Sequence, residues 1–226
     1  MQKLSSPVKL IGDSFKIFFA KENLVYFISI YLVMIPFQIF TYFKESIFGS
    51  GSSNLETGPY AGIILAINIL YFIAYLLTSA AGILAVKKVV DKEQVDFKDT
   101  MILAWRNLWG FFLLSVLLFL ITLGGSILLI IPGIIFSVWF SFARFVFIDQ
   151  NLGIRASLSK SRELIKNRFW PVLGRLIVIG LFFGIISGVV TYLSISLSLI
   201  SSVLLSLTGA FFILPYYLLY KELSAQ

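Results

Sequence analysis

Apolar residues fall into long, almost unbroken runs separated by short charged stretches, and this pattern predicts membrane-crossing helices. One crossing of the hydrocarbon takes about 20 apolar residues. Runs of that length or more lie at 24–43, 60–86, 108–148, 169–193 and 195–220. The third is about twice as long as a single crossing needs. It reads as a hairpin of two spans, 108–128 and 129–148, which brings the expected number to six. Gly124-Gly125 and Pro132-Gly133 both disfavour helix and bracket the middle of that run. The turn is expected at one of them or between them.

Three of the polar stretches share a design: an amphipathic segment, a basic residue close to an Asn, then an apolar span. The first runs from Ser6-Pro7 to Ala20 and ends Lys21-Glu22-Asn23. Ser6 suits an N-cap and Pro7 the first helical position. Val8, Ile11, Phe15 and Phe18 or Phe19 share one face, opposite Lys9, Asp13 and Lys16. The second covers 96–105 and ends Arg106-Asn107. The third covers 153–165 and ends Lys166-Asn167, with Ile154, Leu158 and Ile165 on one side and Arg155, Lys160, Arg162, Glu163 and Lys166 around the rest. Short basic helices of this kind lie in the plane of the membrane interface. The expected fold is an all-α polytopic membrane protein. It is a single membrane domain over 1–226, with six transmembrane helices and three cytoplasmic interfacial amphipathic helices arranged as a weak threefold repeat.

Charge orients the arrangement. The chain carries 18 basic and 11 acidic residues, a net +7. With six spans, every Lys and Arg except Lys44 falls on the side of the two termini, and five or seven spans would scatter them. The positive-inside rule then predicts a multi-pass plasma membrane protein with both termini cytoplasmic and the 44–58 segment outside. Trp105, Trp109, Trp170, Tyr216, Tyr217 and Tyr220 are expected in a cytoplasmic aromatic belt, with Tyr60 and Tyr192 near the outer face. The opening Met1-Gln2-Lys3-Leu4-Ser5-Ser6-Pro7 does not read as a cleavable signal peptide, so the first span is expected to act as an uncleaved anchor. Basic residues that flank apolar spans speak for anionic lipid headgroups as partners rather than nucleic acid. A protein partner or a homo-oligomer is compatible with the same pattern.

Composition narrows the chemistry. Hydrophobic residues make up 59% of the chain and charged ones 13%, too few charges to clothe a water-soluble surface. Cysteine and histidine are both absent. That removes thiol chemistry, the commonest general base and the commonest metal ligand, so no catalytic residue, metal or cofactor is expected. The carboxylates all lie away from mid-membrane depth, which argues against ion-coupled transport.

Arg144 and Arg175 are the charges set within apolar runs, and an intramembrane charge is a functional candidate. Both are close enough to the cytoplasmic face to snorkel, and Arg144 could pair with Asp149. The sharper reading is a shared site for an anionic lipid phosphate, whose geometry suits guanidinium. Gly180, Gly184 and Gly188 recur every four residues on span five, as Ser194, Ser198, Ser202 and Ser206 do on span six. Such small residues let helices approach, so close packing is the plain reading and a polar path lined by the serines the sharper one. Pro36, Pro132 and Pro215 are expected to kink the spans that hold them. Gln38 is expected to hydrogen-bond across helices.

A resemblance rests on Leu129-Ile130-Ile131-Pro132-Gly133-Ile134-Ile135, Trp139-Phe140-Ser141-Phe142-Ala143, Ala156-Ser157-Leu158-Ser159-Lys160-Ser161 and Phe169-Trp170-Pro171-Val172-Leu173-Gly174. Together these resemble the membrane-anchor domain of bacterial glycerophosphoryl diester phosphodiesterases and related stand-alone polytopic proteins. The resemblance is clearest over 105–180 and implies a six-helix bacterial membrane module. The family's hydrolytic activity resides in a separate soluble domain with catalytic histidines. A chain without histidine gives no ground for expecting it here. Two functional readings follow: a non-catalytic module that binds or organises lipid or serves as the membrane part of a larger assembly, and a transporter or permease subunit with a path near spans five and six.

Overall fold

The computed structural model describes residues 4–48, 60–128, 130–193, 204 and 209–225, and every regular element among them is helical. Helix α1, Pro7–Phe19, starts where its sequence places it. The Ser6 side chain accepts from the Lys9 N–H at 3.2 Å, and Pro7 fills the first turn, where its missing N–H costs nothing. Helix α2, Lys21–Tyr31, leads through a 3-10 turn at Leu32–Met34 into α3, Ile35–Phe48. Helix α4 spans Ala61–Val90. Helix α5, Phe97–Arg106, is capped by Asp96, whose Oδ2 accepts from the Asp99 N–H at 2.9 Å. The remaining helices are α6, Leu108–Leu128; α7, Ile130–Trp139; α8, Ala143–Gln150; α9, Ile154–Lys166; α10, Phe169–Leu193; and α11, Gly209–Ser224.

Among the described residues, five segments are long and apolar enough to cross a membrane: Lys21–Phe43, Ala61–Val90, Leu108–Ile127, Ile131–Gln150 and Phe169–Tyr192. Of the expected sixth, 195–220, the described part is Leu204 and the helix from Gly209. The hairpin turn lies between the two candidate breakers, because α6 runs through Gly124-Gly125 and α7 begins before Pro132. The glycines serve the crossing instead. A Cβ on Gly125 would sit 3.1 Å from the Gly133 Cα, so α6 and α7 meet backbone to backbone.

The fourth span departs from expectation. Instead of one helix over 129–148, it breaks at 140–142 and restarts as α8. The break leaves the Trp139 carbonyl free of a helical donor, and Ser161 Oγ of α9 supplies one at 2.8 Å. The Arg162 guanidinium stacks over the Trp139 ring, 4.5 Å from its centroid. One proline expectation is corrected: Pro132 sits in the first turn of α7 and starts that helix. Pro36 directly follows the 3-10 turn at Leu32–Met34 that interrupts the span Lys21–Phe43, and Pro215 lies inside α11.

Helix α4 shows where the core sits. Its first half exposes Ile63, Leu65, Ile69 and Leu70. Its second half buries Ala80, Ala81, Ala85 and Val86 completely, where α2, α5, α8 and α11 close around it. Exposed apolar flanks on α4, α6 and α10 suit a hydrocarbon solvent, in which such surface has no cost.

Two further expectations change. Tyr217 and Tyr220 are fully buried rather than in a belt, while Trp105, Trp109 and Trp170 are exposed. Helix α1 turns Leu10, Ile11, Ser14 and Phe18 inward and leaves Val8 75% and Phe19 59% exposed, because it packs along α11.

Candidate functional site

The two arginines set within apolar spans behave differently. Arg175, on the second turn of α10, donates from Nε to the Ser5 carbonyl at 2.8 Å, from Nη2 to the Leu4 carbonyl at 2.8 Å, and from Nη1 to the Pro171 carbonyl at 2.7 Å. The Ser5 N–H in turn donates to Glu222 Oε2 at 3.0 Å. Arg175 therefore fastens the N-terminal segment across α10, beside the end of α11. Three of its five N–H donors are committed to carbonyls, and it borders none of the described cavities, so the described residues do not bring it to a common site with Arg144.

Arg144 is the second residue of α8, immediately past the break. The expected pairing with Asp149 is absent. Asp149 instead lies 3.5 Å from Lys87 Nζ and 3.4 Å from Lys221 Nζ. It also accepts from the Tyr220 hydroxyl at 2.9 Å and the Tyr217 hydroxyl at 3.3 Å. These groups come from α4, α8 and α11, and Lys221 extends the set to Asp91 at 3.1 Å. With Asp149 engaged, Arg144 makes no ion pair or hydrogen bond among the described residues. Its neighbour is the Phe111 ring, with the guanidinium 5.8 Å from the centroid.

Three open cavities converge on this cation. The largest, about 500 Å³, is bordered by Tyr31, Tyr75, Ser79, Phe111, Ser141 and Tyr216. A second, about 310 Å³, runs between α4 and α6 past Phe72, Ser79, Ser115 and Phe119. A third, about 200 Å³, lies between α6 and the α7–α8 break, beside Thr122, Ser137 and Ser141. Ser115 Oγ is buried without a hydrogen-bond partner among the described residues, so a hydroxyl and a cation that are both unpaired among them border the same space. The arrangement can take an anion in charge-assisted hydrogen bonds, with neutral hydroxyls close by and aromatic walls around them.

Tyr31 closes one end. Its ring lies so close to Gly82 and Gly209 that a Cβ on either would overlap it. A Cβ on Gly180 would lie 3.7 Å from the Tyr216 hydroxyl, and nothing described approaches Gly184 or Gly188 within 4 Å. Ser194, Ser198, Ser202 and Ser206 lie outside the described residues. Gln38 Oε1 has no hydrogen-bond partner among the described residues. No group of three acidic, His or Cys side chains that could hold a metal occurs among the described residues.

Sequence reading passed over the hydroxyls of Tyr75, Ser79, Ser115 and Ser141. Their presence inside predicted spans, within a few turns of Arg144 or opposite it, was the available signal. No protein-family model matches the chain, and neither a curated protein nor a solved structure shows significant similarity to it.

Proposed function

We propose that this chain is a non-catalytic multi-pass module of a bacterial plasma membrane, with both termini cytoplasmic, that holds an anionic phospholipid of the inner leaflet at Arg144. A charge within an apolar span is costly, about 2.5–3.5 kcal/mol at the bilayer centre and less toward the interface, so it is placed where a partner can reach it. The exposure of Arg144 to a groove lined by hydroxyls and aromatic rings supports a ligand that supplies the missing charge. Phe111, which the guanidinium faces, lies one turn into α6, about 5 Å along the axis from its start. That depth suits a headgroup phosphate. Helices α1, α5 and α9 would lie in the inner interface, each added Lys or Arg contributing about 1 kcal/mol of attraction to anionic lipid. The sequence resemblance over 105–180 to the phosphodiesterase membrane-anchor domain implies a module of this kind and adds no chemistry.

Native mass spectrometry of the detergent-purified chain tests the reading. The unaltered chain should retain phosphatidylglycerol over phosphatidylcholine. Arg144→Met should lower that retention about 10- to 100-fold, the range expected for charge-assisted hydrogen bonds. Equal retention by both proteins would overturn it.

A further inference from the structure

The cavity of about 500 Å³ at Arg144 has polar walls beyond the guanidinium. Tyr31, Tyr75, Ser79 and Tyr216 border it, and none of their four hydroxyls has a hydrogen-bond partner among the described residues. Tyr31 is only 7% exposed, and a buried hydroxyl without a partner carries a desolvation cost that a ligand can relieve. Ser141 on the same wall donates to the Val138 carbonyl at 2.9 Å and keeps its lone pairs free to accept. No carboxylate is among the described side chains that border the space. Asp149, on the same helix as Arg144, is held by Lys87, Lys221 and two tyrosine hydroxyls.

The direction of the cavity matters as much as its lining. On α4 its wall runs from Tyr75 through Ser79 to Ile83, about 12 Å of helix, and the Tyr31 hydroxyl is the atom nearest the space of a Gly82 Cβ. This is toward the end of α4 that carries Lys87 and Lys88, the cytoplasmic end in the proposed orientation. A phosphate on Arg144 therefore has open, hydroxyl-lined space on the side toward which a lipid headgroup extends from its phosphate.

We propose that this cavity takes an uncharged polyol headgroup, a glycerol or a sugar, joined to the phosphate on Arg144. The inference rests on the anionic-lipid reading and specifies the polar end of that lipid. Polyol hydroxyls donate and accept at once, as the tyrosine and serine hydroxyls of the wall do. An ammonium headgroup would meet a guanidinium and no carboxylate, so ethanolamine and choline lipids are disfavoured. A phosphate with no headgroup satisfies Arg144 but leaves the wall hydroxyls unpaired, and a site built to hydrogen-bond a hydroxyl discriminates against a ligand that lacks it. The volume lies within the range of small-ligand pockets.

The test is native mass spectrometry of the detergent-purified chain, offered phosphatidylglycerol and phosphatidic acid with identical chains as an equimolar pair, and phosphatidylglycerol with phosphatidylethanolamine in parallel. Phosphatidic acid carries at least the charge of phosphatidylglycerol, so charge alone puts it at no disadvantage. We expect phosphatidylglycerol to be retained over both by about 10-fold or more. Tyr75→Phe combined with Tyr216→Phe should lower its retention about 2- to 10-fold per hydroxyl, the range of a neutral hydrogen bond. The same variant should hold phosphatidic acid as before, which also shows that it is folded. Arg144→Met should lower both lipids. Glycerol 3-phosphate, which has the phosphate and the polyol without the chains, should leave the retained lipid in place. Its displacing the lipid would assign the site to a soluble phosphate ester and overturn the lipid assignment. Equal retention of phosphatidylglycerol and phosphatidic acid, or a preference that survives the tyrosine variant, would overturn the polyol headgroup and leave the anion site standing. Loss of both lipids alike in the tyrosine variant would likewise overturn it. Retention of both indifferent to Arg144 would overturn the headgroup and the anion site together.

Discussion

The Tyr220 hydroxyl donates to Asp149 Oδ2 at 2.9 Å and so ties α11 to α8 across 71 positions of sequence. The same hydroxyl accepts from Gln150 Nε2 at 3.1 Å, and both Lys87 and Lys221 stand within 3.5 Å of the carboxylate. A hydrogen bond to a charged group contributes about 1.5–3 kcal/mol. Tyr220→Phe should therefore lower the unfolding free energy in detergent by an amount in that range. Asp149→Asn should cost at least as much, because Lys87 then loses its carboxylate and Lys221 keeps only Asp91. Chemical unfolding followed by tryptophan fluorescence reads both, and unchanged midpoints would show the network to be idle.

Tyr31 and Gly82 provide a rescue experiment. The atom nearest the space of a Gly82 Cβ is the Tyr31 hydroxyl, whereas at Gly209 the nearest atoms are carbons of the Tyr31 ring. Gly82→Ala should destabilise the fold by about 1–3 kcal/mol, the usual cost of overpacking. Adding Tyr31→Phe should restore most of it. Gly209→Ala should be as costly and gain little from Tyr31→Phe. Identical behaviour of the two glycines would contradict the placement of the ring.

The α6–α7 hairpin separates two adjacent glycines. At Gly125 a Cβ meets Gly133 backbone 3.1 Å away, and at Gly124 nothing lies within 4 Å. Gly125→Ala should lower thermal stability measurably, by about 1–3 kcal/mol. Gly124→Ala should be neutral or stabilising by up to about 1 kcal/mol through helix propensity. Thermal melts in one detergent compare them directly, and a reversal of the order would place the crossing elsewhere.

How much of this was legible in the residues follows from what each feature depends on. Length and apolarity revealed the spans, because hydrocarbon thickness imposes both. Ser6-Pro7 and Asp96 marked helix starts through local capping chemistry. The break at 140–142 was not legible, since no Gly or Pro marks it. It is held by Ser161 from 22 residues away, a tertiary contact with no local trace. The partner of Asp149 was misread for the same reason. Arg144 lies five positions from it in sequence, but the lysines that reach it come from α4 and α11. Arg144 itself was legible as a candidate, because a lone charge in an apolar run is rare. Arg175 carried the identical signal and turned out to be a backbone clamp, a distinction set only by which groups the fold brings near.

Ligand-induced stabilisation tests the central claim most directly, because a ligand that binds only the folded state raises its stability by mass action, about 2.7 kcal/mol at 100 times the dissociation constant. The measurement is the melting temperature of the detergent-solubilised chain as phosphatidylglycerol is titrated in, with phosphatidylcholine as the reference. A saturable rise of several degrees with phosphatidylglycerol, absent from Arg144→Met at equal lipid, is the predicted result. An equal rise in both proteins would contradict an anion site at Arg144.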